Sequence, residues 1–192
     1  MSVSIFGRFM IEQHWLSTAR RCPSPNFNQR PAGCQIRLLV IHNISLPPGQ
    51  FGGADIEDFF CNQLDCSKDP FYQEIKGMEV SSHLLIKRSG EVVQFVAFND
   101  RAWHAGKSSF QGVENCNDFS IGIELEGTDT KAYTDAQYQA LHDVTRQLLL
   151  QYPALTETNI VGHNDIAPGR KTDPGIAFDW HRYRQALKDA AQ

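Results

Sequence analysis

Three stretches of the chain carry side chains able to do chemistry together. His42 ends the apolar run Leu38-Leu39-Val40-Ile41 and precedes Ser45-Leu46-Pro47-Pro48-Gly49, which continues neither a strand nor a helix. A loop is therefore expected directly after His42, and a residue at such a strand end faces a cleft. The second stretch is Gly162-His163-Asn164-Asp165-Ile166-Ala167-Pro168-Gly169-Arg170-Lys171-Thr172-Asp173-Pro174-Gly175. Polar, rich in Gly and Pro, and holding one His and two Asp, it is the kind of segment that serves function more often than packing. The third is Ile121-Gly122-Ile123-Glu124-Leu125-Glu126-Gly127, where strand alternation sends Glu124 and Glu126 to one face. Two acids on one face of an apolar strand are costly unless that face lines a polar cleft. Two imidazoles and a carboxylate suit catalytic zinc, with a fourth position left for water. His42 and His163 lie far apart in sequence, so on spacing alone core or surface histidines remain the default reading.

A fold must join these stretches. Arg37 to Ile41 reads as a buried strand, and Ser81 to Val96 as two strand-like runs about a Ser-Gly turn, a hairpin. Asp118 to Leu125 and Asn159 to Val161 supply two more strands. Thr134 and Gln137 have capping-box spacing, and Tyr138, Leu141, Val144, Leu148, Leu149 and Tyr152 recur at helical intervals behind them. Shorter helices are expected at Glu12 to Arg21 and Asp55 to Asn62, and a final one at Phe178 to Ala190. Strands separated by helices, with one hairpin, predict an α/β fold with a central mixed β-sheet flanked by helices. No repeat or long linker appears, so residues 1–192 are expected to form one domain.

The totals narrow the function classes. An apolar share of 41% and a charged share of 21% are those of a soluble globular chain and argue against disorder. A net charge of -4 with scattered Lys and Arg gives no footprint for nucleic acid. The run Leu38–Ile41 is far below the roughly 20 residues of a membrane span. Met1 to Met10 shows neither a signal-peptide apolar region nor a cleavage site, and the five cysteines (22, 34, 61, 66 and 116) form an odd set with no C-x-x-C pair. Free, partly buried thiols in the cytoplasm are the expectation, with no membrane and no obligate protein partner.

Four motifs add a resemblance. Val40-Ile41-His42-Asn43-Ile44-Ser45, Trp103-His104-Ala105-Gly106, Asn117-Asp118-Phe119-Ser120-Ile121-Gly122-Ile123-Glu124, and Gly162-His163 through Asp173-Pro174-Gly175 resemble the amidase family that includes phage-type lysozyme amidases and peptidoglycan-recognition proteins. Within it they are most similar to the cytosolic anhydro-muropeptide amidases. The similarity runs from about Trp15 to Arg184, with the motifs in family order. It implies His42, His163 and Asp173 as ligands of one zinc ion. It also implies Glu124 as general base and then acid, and Lys171 as the positive charge that stabilises the oxyanion. Many relatives have Cys in place of Asp173 or Tyr in place of Glu124, so both residues point to the anhydro-muropeptide branch. Some members of that branch carry basic residues near positions 79 and 115, suited to carboxylates of a peptide stem. Here Glu79 and Asn115 stand, with Arg88, Arg101 and Arg170 as possible substitutes.

Other residues divide between function and packing. Asn43 and Trp103 are assigned to substrate contact, Trp103 as a wall of the cleft. His104 is assigned to substrate contact or to support of a metal ligand. His83 is expected to be a buried, hydrogen-bonded structural histidine, and His14, His142 and His181 to be solvated on helices. Glu126 is expected to orient groups or to face solvent.

The implied activity is hydrolysis of the amide between the lactyl group of (1,6-anhydro-)N-acetylmuramic acid and L-alanine, on a small muropeptide, during peptidoglycan recycling. The alternative is an endolysin-type amidase acting on intact cell wall. A non-catalytic binding module would lack a ligand, and a structural zinc would require a fourth protein ligand.

Overall fold

The computed structural model describes residues 9–189. Its main elements in chain order are β1 (Arg20–Arg21), β2 (Leu38–Ile44), α1 (Asp55–Phe60), α2 (Pro70–Glu74), β3 (Leu84–Ile86), β4 (Val92–Gln94), β5 (Ser120–Glu126), α3 (Asp135–Gln151), β6 (Ile160–Gly162), α4 (His163–Ile166) and α5 (Trp180–Asp189). The strands form one six-stranded sheet in the order β6-β2-β5-β3-β4-β1. β6, β2, β5 and β3 run parallel, β4 returns antiparallel to β3, and β1 lies parallel to β4. This is the mixed α/β sheet that the pattern predicts. The ends of the expected domain, and the helix end expected at Ala190, lie outside the described residues.

Alternation along β2 and β5 divides the chain's apolar residues between two faces. Leu39, Ile41, Ile121, Ile123 and Leu125 pack with Tyr138, Leu141, Val144 and Leu148 of α3 and with Tyr183 and Leu187 of α5. Each such aliphatic side chain contributes about 1.5–3 kcal/mol when fully buried. On the other face Leu38 and Val40 meet Ala105, Cys116 and Ile166, while Leu85 and Val93 meet Phe59 and Phe60 of α1 and Tyr72 of α2. β2 and β5 are central, and their first five residues have almost no exposure on either face.

Local chemistry sets the ends of these elements. Thr134 Oγ1 accepts from the Gln137 amide and Gln137 Oε1 accepts from the Thr134 amide, the capping box read in the sequence. Such a cap is worth about 1 kcal/mol. Gln137 Nε2 then donates to the carbonyls of Ile86 and Glu126, tying α3 to the ends of β3 and β5. Gly90, at φ +83°, takes the left-handed position that closes the β3–β4 hairpin. Glu57 of α1 pairs with Arg20 of β1 and with Lys87 beside the hairpin turn, fixing α1 against the sheet edge.

Three local expectations are corrected. Glu12 to Arg21 is not a helix: Ile11–Glu12 pairs with Trp15–Leu16 around Gln13 and His14, both at positive φ, and Arg20–Arg21 joins the sheet. The decisive contacts are distant in sequence, for Leu16 N donates to Gln94 Oε1 and Gln94 Nε2 donates to the His14 carbonyl. No loop begins directly after His42, because β2 stays paired with β5 as far as Ile44 opposite Glu126. His14 is therefore on a turn, with Nδ1 on the Tyr152 hydroxyl, and His142 of α3 is half-buried on the Ala186 carbonyl; neither is simply solvated.

Candidate metal centre and cleft

The parallel strands deliver the chemistry to one sheet edge. His42 and Glu124 are register partners on β2 and β5, near the carboxyl ends of both strands. β6 ends at Gly162, opposite Ile41, and His163 opens α4 from there. Ligands in open parallel sheets collect at this edge because loops, rather than paired strands, continue from it. The segment after α4 returns Asp173 to His163, with the Asn164 amide donating to the Asp173 carbonyl.

Three atoms converge there. His42 Nδ1 and His163 Nδ1 are 2.9 Å apart, and Asp173 Oδ2 lies 3.1 Å from the first and 3.0 Å from the second. Ligands about 2.0 Å from a tetrahedral ion stand about 3.3 Å from each other, so the triangle has the size of one face of a zinc site. The outer nitrogens support the same reading. His163 Nε2 lies 3.0 Å from the Ala105 carbonyl, which only accepts, so the proton sits on Nε2 and the Nδ1 lone pair points into the triangle. Among the described residues this is the group of His, Cys, Asp and Glu side chains able to hold a metal ion.

Burial shapes the protonation of the site. It pushes the His42 ring down to about 4 despite the opposing hydrogen bond to Asp173, so the ring is neutral at ordinary pH. Burial alone would raise the Asp173 carboxyl, but hydrogen bonds from His163 and His42 hold it well below the usual carboxylate range. Glu124 behaves oppositely. Burial first, and the Asp173 charge second, push its carboxyl well above 4.5, while the Lys171 charge pulls the other way. Glu124 Oε2 is buried and has no hydrogen-bond partner, an arrangement that costs stability.

These residues form one end of a cavity of about 340 Å³, which His42, Glu124, His163, Lys171 and Asp173 all line. Apolar side chains line it as well: Phe59 and Phe60 from α1, Phe71 from α2, and Leu46, Ile75, Met78, Val80 and Trp103. In the sequence these residues are hidden, because apolar side chains on short helices read equally as packing.

The remaining site residues fall as follows. Asn43 lines the cavity and donates through Nδ2 to Asp129 Oδ1. Trp103 lines it with the indole N–H donated to Asn28 Oδ1. His104 also reaches it, but both ring nitrogens are engaged, Nδ1 at 2.9 Å from His42 Nε2 and Nε2 at 2.9 Å from Ser120 Oγ. His83 is fully buried, with Nδ1 accepting from the Gly122 amide and Nε2 donating to the Asp100 carbonyl. Glu126 is buried and accepts from the amides of Gly52 and Arg88, so it holds loops rather than facing the cleft. The three candidate replacement arginines are committed elsewhere: Arg88 to the Ala132 carbonyl, Arg101 to Asp118, and Arg170 to the carbonyls of Ala105 and Lys107.

Gly122 is a further participant, and its position in the strand is a signal for it. A Cβ there would lie 2.5 Å from His104 Cγ and Nδ1, so only glycine lets the His104 ring cover the strand. A lone glycine within Ile121-Gly122-Ile123 is the usual mark of such a close approach.

Residues 32–176 match the family of N-acetylmuramoyl-L-alanine amidases. The chain belongs to this amidase family. A protein of Escherichia coli strain K12 named 1,6-anhydro-N-acetylmuramyl-L-alanine amidase AmpD is 59% identical to it, over 91% of this chain and 95% of that protein. A crystal structure of a selenomethionine derivative of AmpD superposes with a TM-score of 0.90 at 56% identity, covering 93% of this chain and 99% of the other. AmpDh3 from Pseudomonas aeruginosa, solved in complex with an anhydromuramic pentapeptide, is similar at 31% identity and a TM-score of 0.59, over 81% of this chain and 61% of that one. Among the described residues of this amidase, no helix is long and apolar enough to cross a membrane.

Proposed function

We propose that this protein is a zinc-dependent amidase that hydrolyses the bond between the lactyl group of 1,6-anhydro-N-acetylmuramic acid and L-alanine, in the cytoplasmic recycling of peptidoglycan. The observation that carries the reading is the meeting of His42 Nδ1, His163 Nδ1 and Asp173 Oδ2 within 3.1 Å beside the unpartnered Glu124 carboxyl. Similarity to AmpD supports the substrate, and the pentapeptide held by AmpDh3 supports a small muropeptide as the ligand. The whole chain then serves one amidase domain.

His42, His163 and Asp173 would hold the zinc ion, which when bound would supply a lowered pKa for a water and polarisation of the scissile carbonyl. Glu124 takes the proton of the attacking water and passes it to the leaving amine of L-alanine. Its burial suits both halves of that task, because a carboxyl raised above its ordinary value is a stronger base as the carboxylate and still gives up its proton as the acid. Lys171 brings a positive charge to the side where the carbonyl oxygen becomes negative. Asn43 and Trp103 contact substrate, and the apolar lining of the cavity excludes water from the reacting bond.

The test compares purified protein on anhydro-muropeptide monomers and on intact sacculi, with and without chelator. Peptide release from monomers that stops on chelation and returns with zinc is the expected result. Release from sacculi but not monomers overturns the recycling role, and turnover that survives complete zinc removal overturns the zinc reading.

A further inference from the structure

We propose that His104 is a positioning residue of the metal centre, acting with Ala105 as one clamp on both histidine ligands. The inference rests on the reading of His42 and His163 as zinc ligands through Nδ1. A His that offers Nδ1 to a metal carries its proton on Nε2 and needs an acceptor there. For His163 the acceptor is the Ala105 carbonyl at 3.0 Å. For His42 it is Nδ1 of the adjacent His104 at 2.9 Å. Two consecutive residues thus hold the outer nitrogens of both rings.

The proton order follows without a free choice. His42 donates to His104 Nδ1, so His104 carries its own proton on Nε2 and donates to Ser120 Oγ at 2.9 Å. With both nitrogens used inside the protein, His104 keeps no ring donor or acceptor for substrate. The clamp is itself pinned: Asn117 Oδ1 accepts from the amides of both His104 and Ala105, at 3.1 and 2.8 Å. Gly122 beneath the ring leaves room for this orientation. The acceptor facing His42 is a neutral imidazole where carboxylates or carbonyls are usual, so it fixes the ligand's tautomer without adding negative charge to the centre.

The test measures zinc affinity by competition with a chelator. His104→Leu removes the acceptor, and loss of such a partner lowers metal affinity about 10–100-fold. His104→Asn places a side-chain oxygen near the former Nδ1 and is expected to restore most of that loss. Ser120→Ala, a small change within a strand, covers the case in which the leucine variant does not fold; it is expected to weaken zinc binding severalfold in the same direction. Nitrogen-15 NMR of the zinc-loaded wild-type protein should find the Nε2–H tautomer at both His42 and His104. Unchanged zinc affinity in the leucine and alanine variants, or a raised KM with unchanged affinity, overturns the proposal, as does an Nδ1–H tautomer at His104. A wild-type chain that binds no zinc at all is the separate failure of the ligand reading beneath it.

Discussion

Glu124 and His42 face each other across two parallel strands as direct register partners, so one sheet face presents a carboxyl and an imidazole side by side. Glu124 lines the cavity, the charges that act on its carboxyl are those of Asp173 and Lys171, and its buried Oε2 has no hydrogen-bond partner. Replacing Glu124 by Gln keeps the shape and removes the proposed proton transfer. Turnover is expected to fall by about 10²–10⁴-fold, the usual contribution of a positioned acid–base group, with zinc content unchanged. Metal analysis and steady-state kinetics on the same preparation check this, and normal turnover in the variant would remove Glu124 from the reaction.

The same substitution has a signed effect on stability. The folded state holds the Glu124 carboxyl above its ordinary value, so the neutral acid is the form that folding favours. The stability this contributes is present at low pH and is lost as pH rises through the raised value. Glutamine cannot ionise, so the metal-free Gln variant should become progressively more stable than the metal-free wild type as pH rises. Urea midpoints at acidic, neutral and alkaline pH measure the trend, and a wild type that gains on the variant toward alkaline pH contradicts it.

Asp173→Ala separates binding from catalysis. Without Oδ2 the two Nδ1 atoms 2.9 Å apart lose the carboxylate that completes the triangle. Zinc is expected to be lost on dialysis and turnover with it, while Glu124→Gln retains the metal. Stoichiometric zinc in the Asp173 variant would show that the carboxylate is not a ligand.

The sequence makes legible those parts of the site that depend on local pattern. His42 after an apolar run, Glu124 on an alternating strand and the Gly-Pro-rich stretch from Gly162 to Gly175 each announce themselves. Contacts distant along the chain leave no such mark. The Glu12–Arg21 segment has helical spacing, yet hydrogen bonds between Leu16, His14 and Gln94 turn it into a ribbon at the sheet edge. Phe71, Ile75 and Met78 line the cleft only because α1 and α2 are set against the sheet, partly through Glu57 and its partners Arg20 and Lys87. Glu126 shares a strand face with Glu124, but the amides of Gly52 and Arg88 consume its charge.

Lys171 lines the cavity beside the proposed ligands, and its charge opposes the burial of Glu124. Lys171→Met is expected to lower kcat by about 10²–10³-fold, comparable to the loss of one oxyanion donor, with zinc content unchanged. A rise in KM alone would assign the lysine to substrate binding instead.

His83 supplies a prediction away from the metal. Burial, with the Arg30 charge as the second cause, holds its ring down at about 3, against an ordinary value of 6.5. In the unfolded chain the ring takes up a proton between these limits and in the folded chain it does not. The stability from a neutral His83 is therefore full above 6.5 and is lost as pH falls toward 3. His83→Gln cannot titrate, so its unfolding free energy should depend less on pH within that window, by up to about 1.4 kcal/mol per pH unit. The comparison uses metal-free protein in both cases, since His42 and His104 also resist protonation and contribute equally to each. Equal slopes would mean that His83 is charged when folded. Its ring would then donate from both nitrogens, and the Gly122 amide that donates to Nδ1 would lose its acceptor in the strand that carries Glu124.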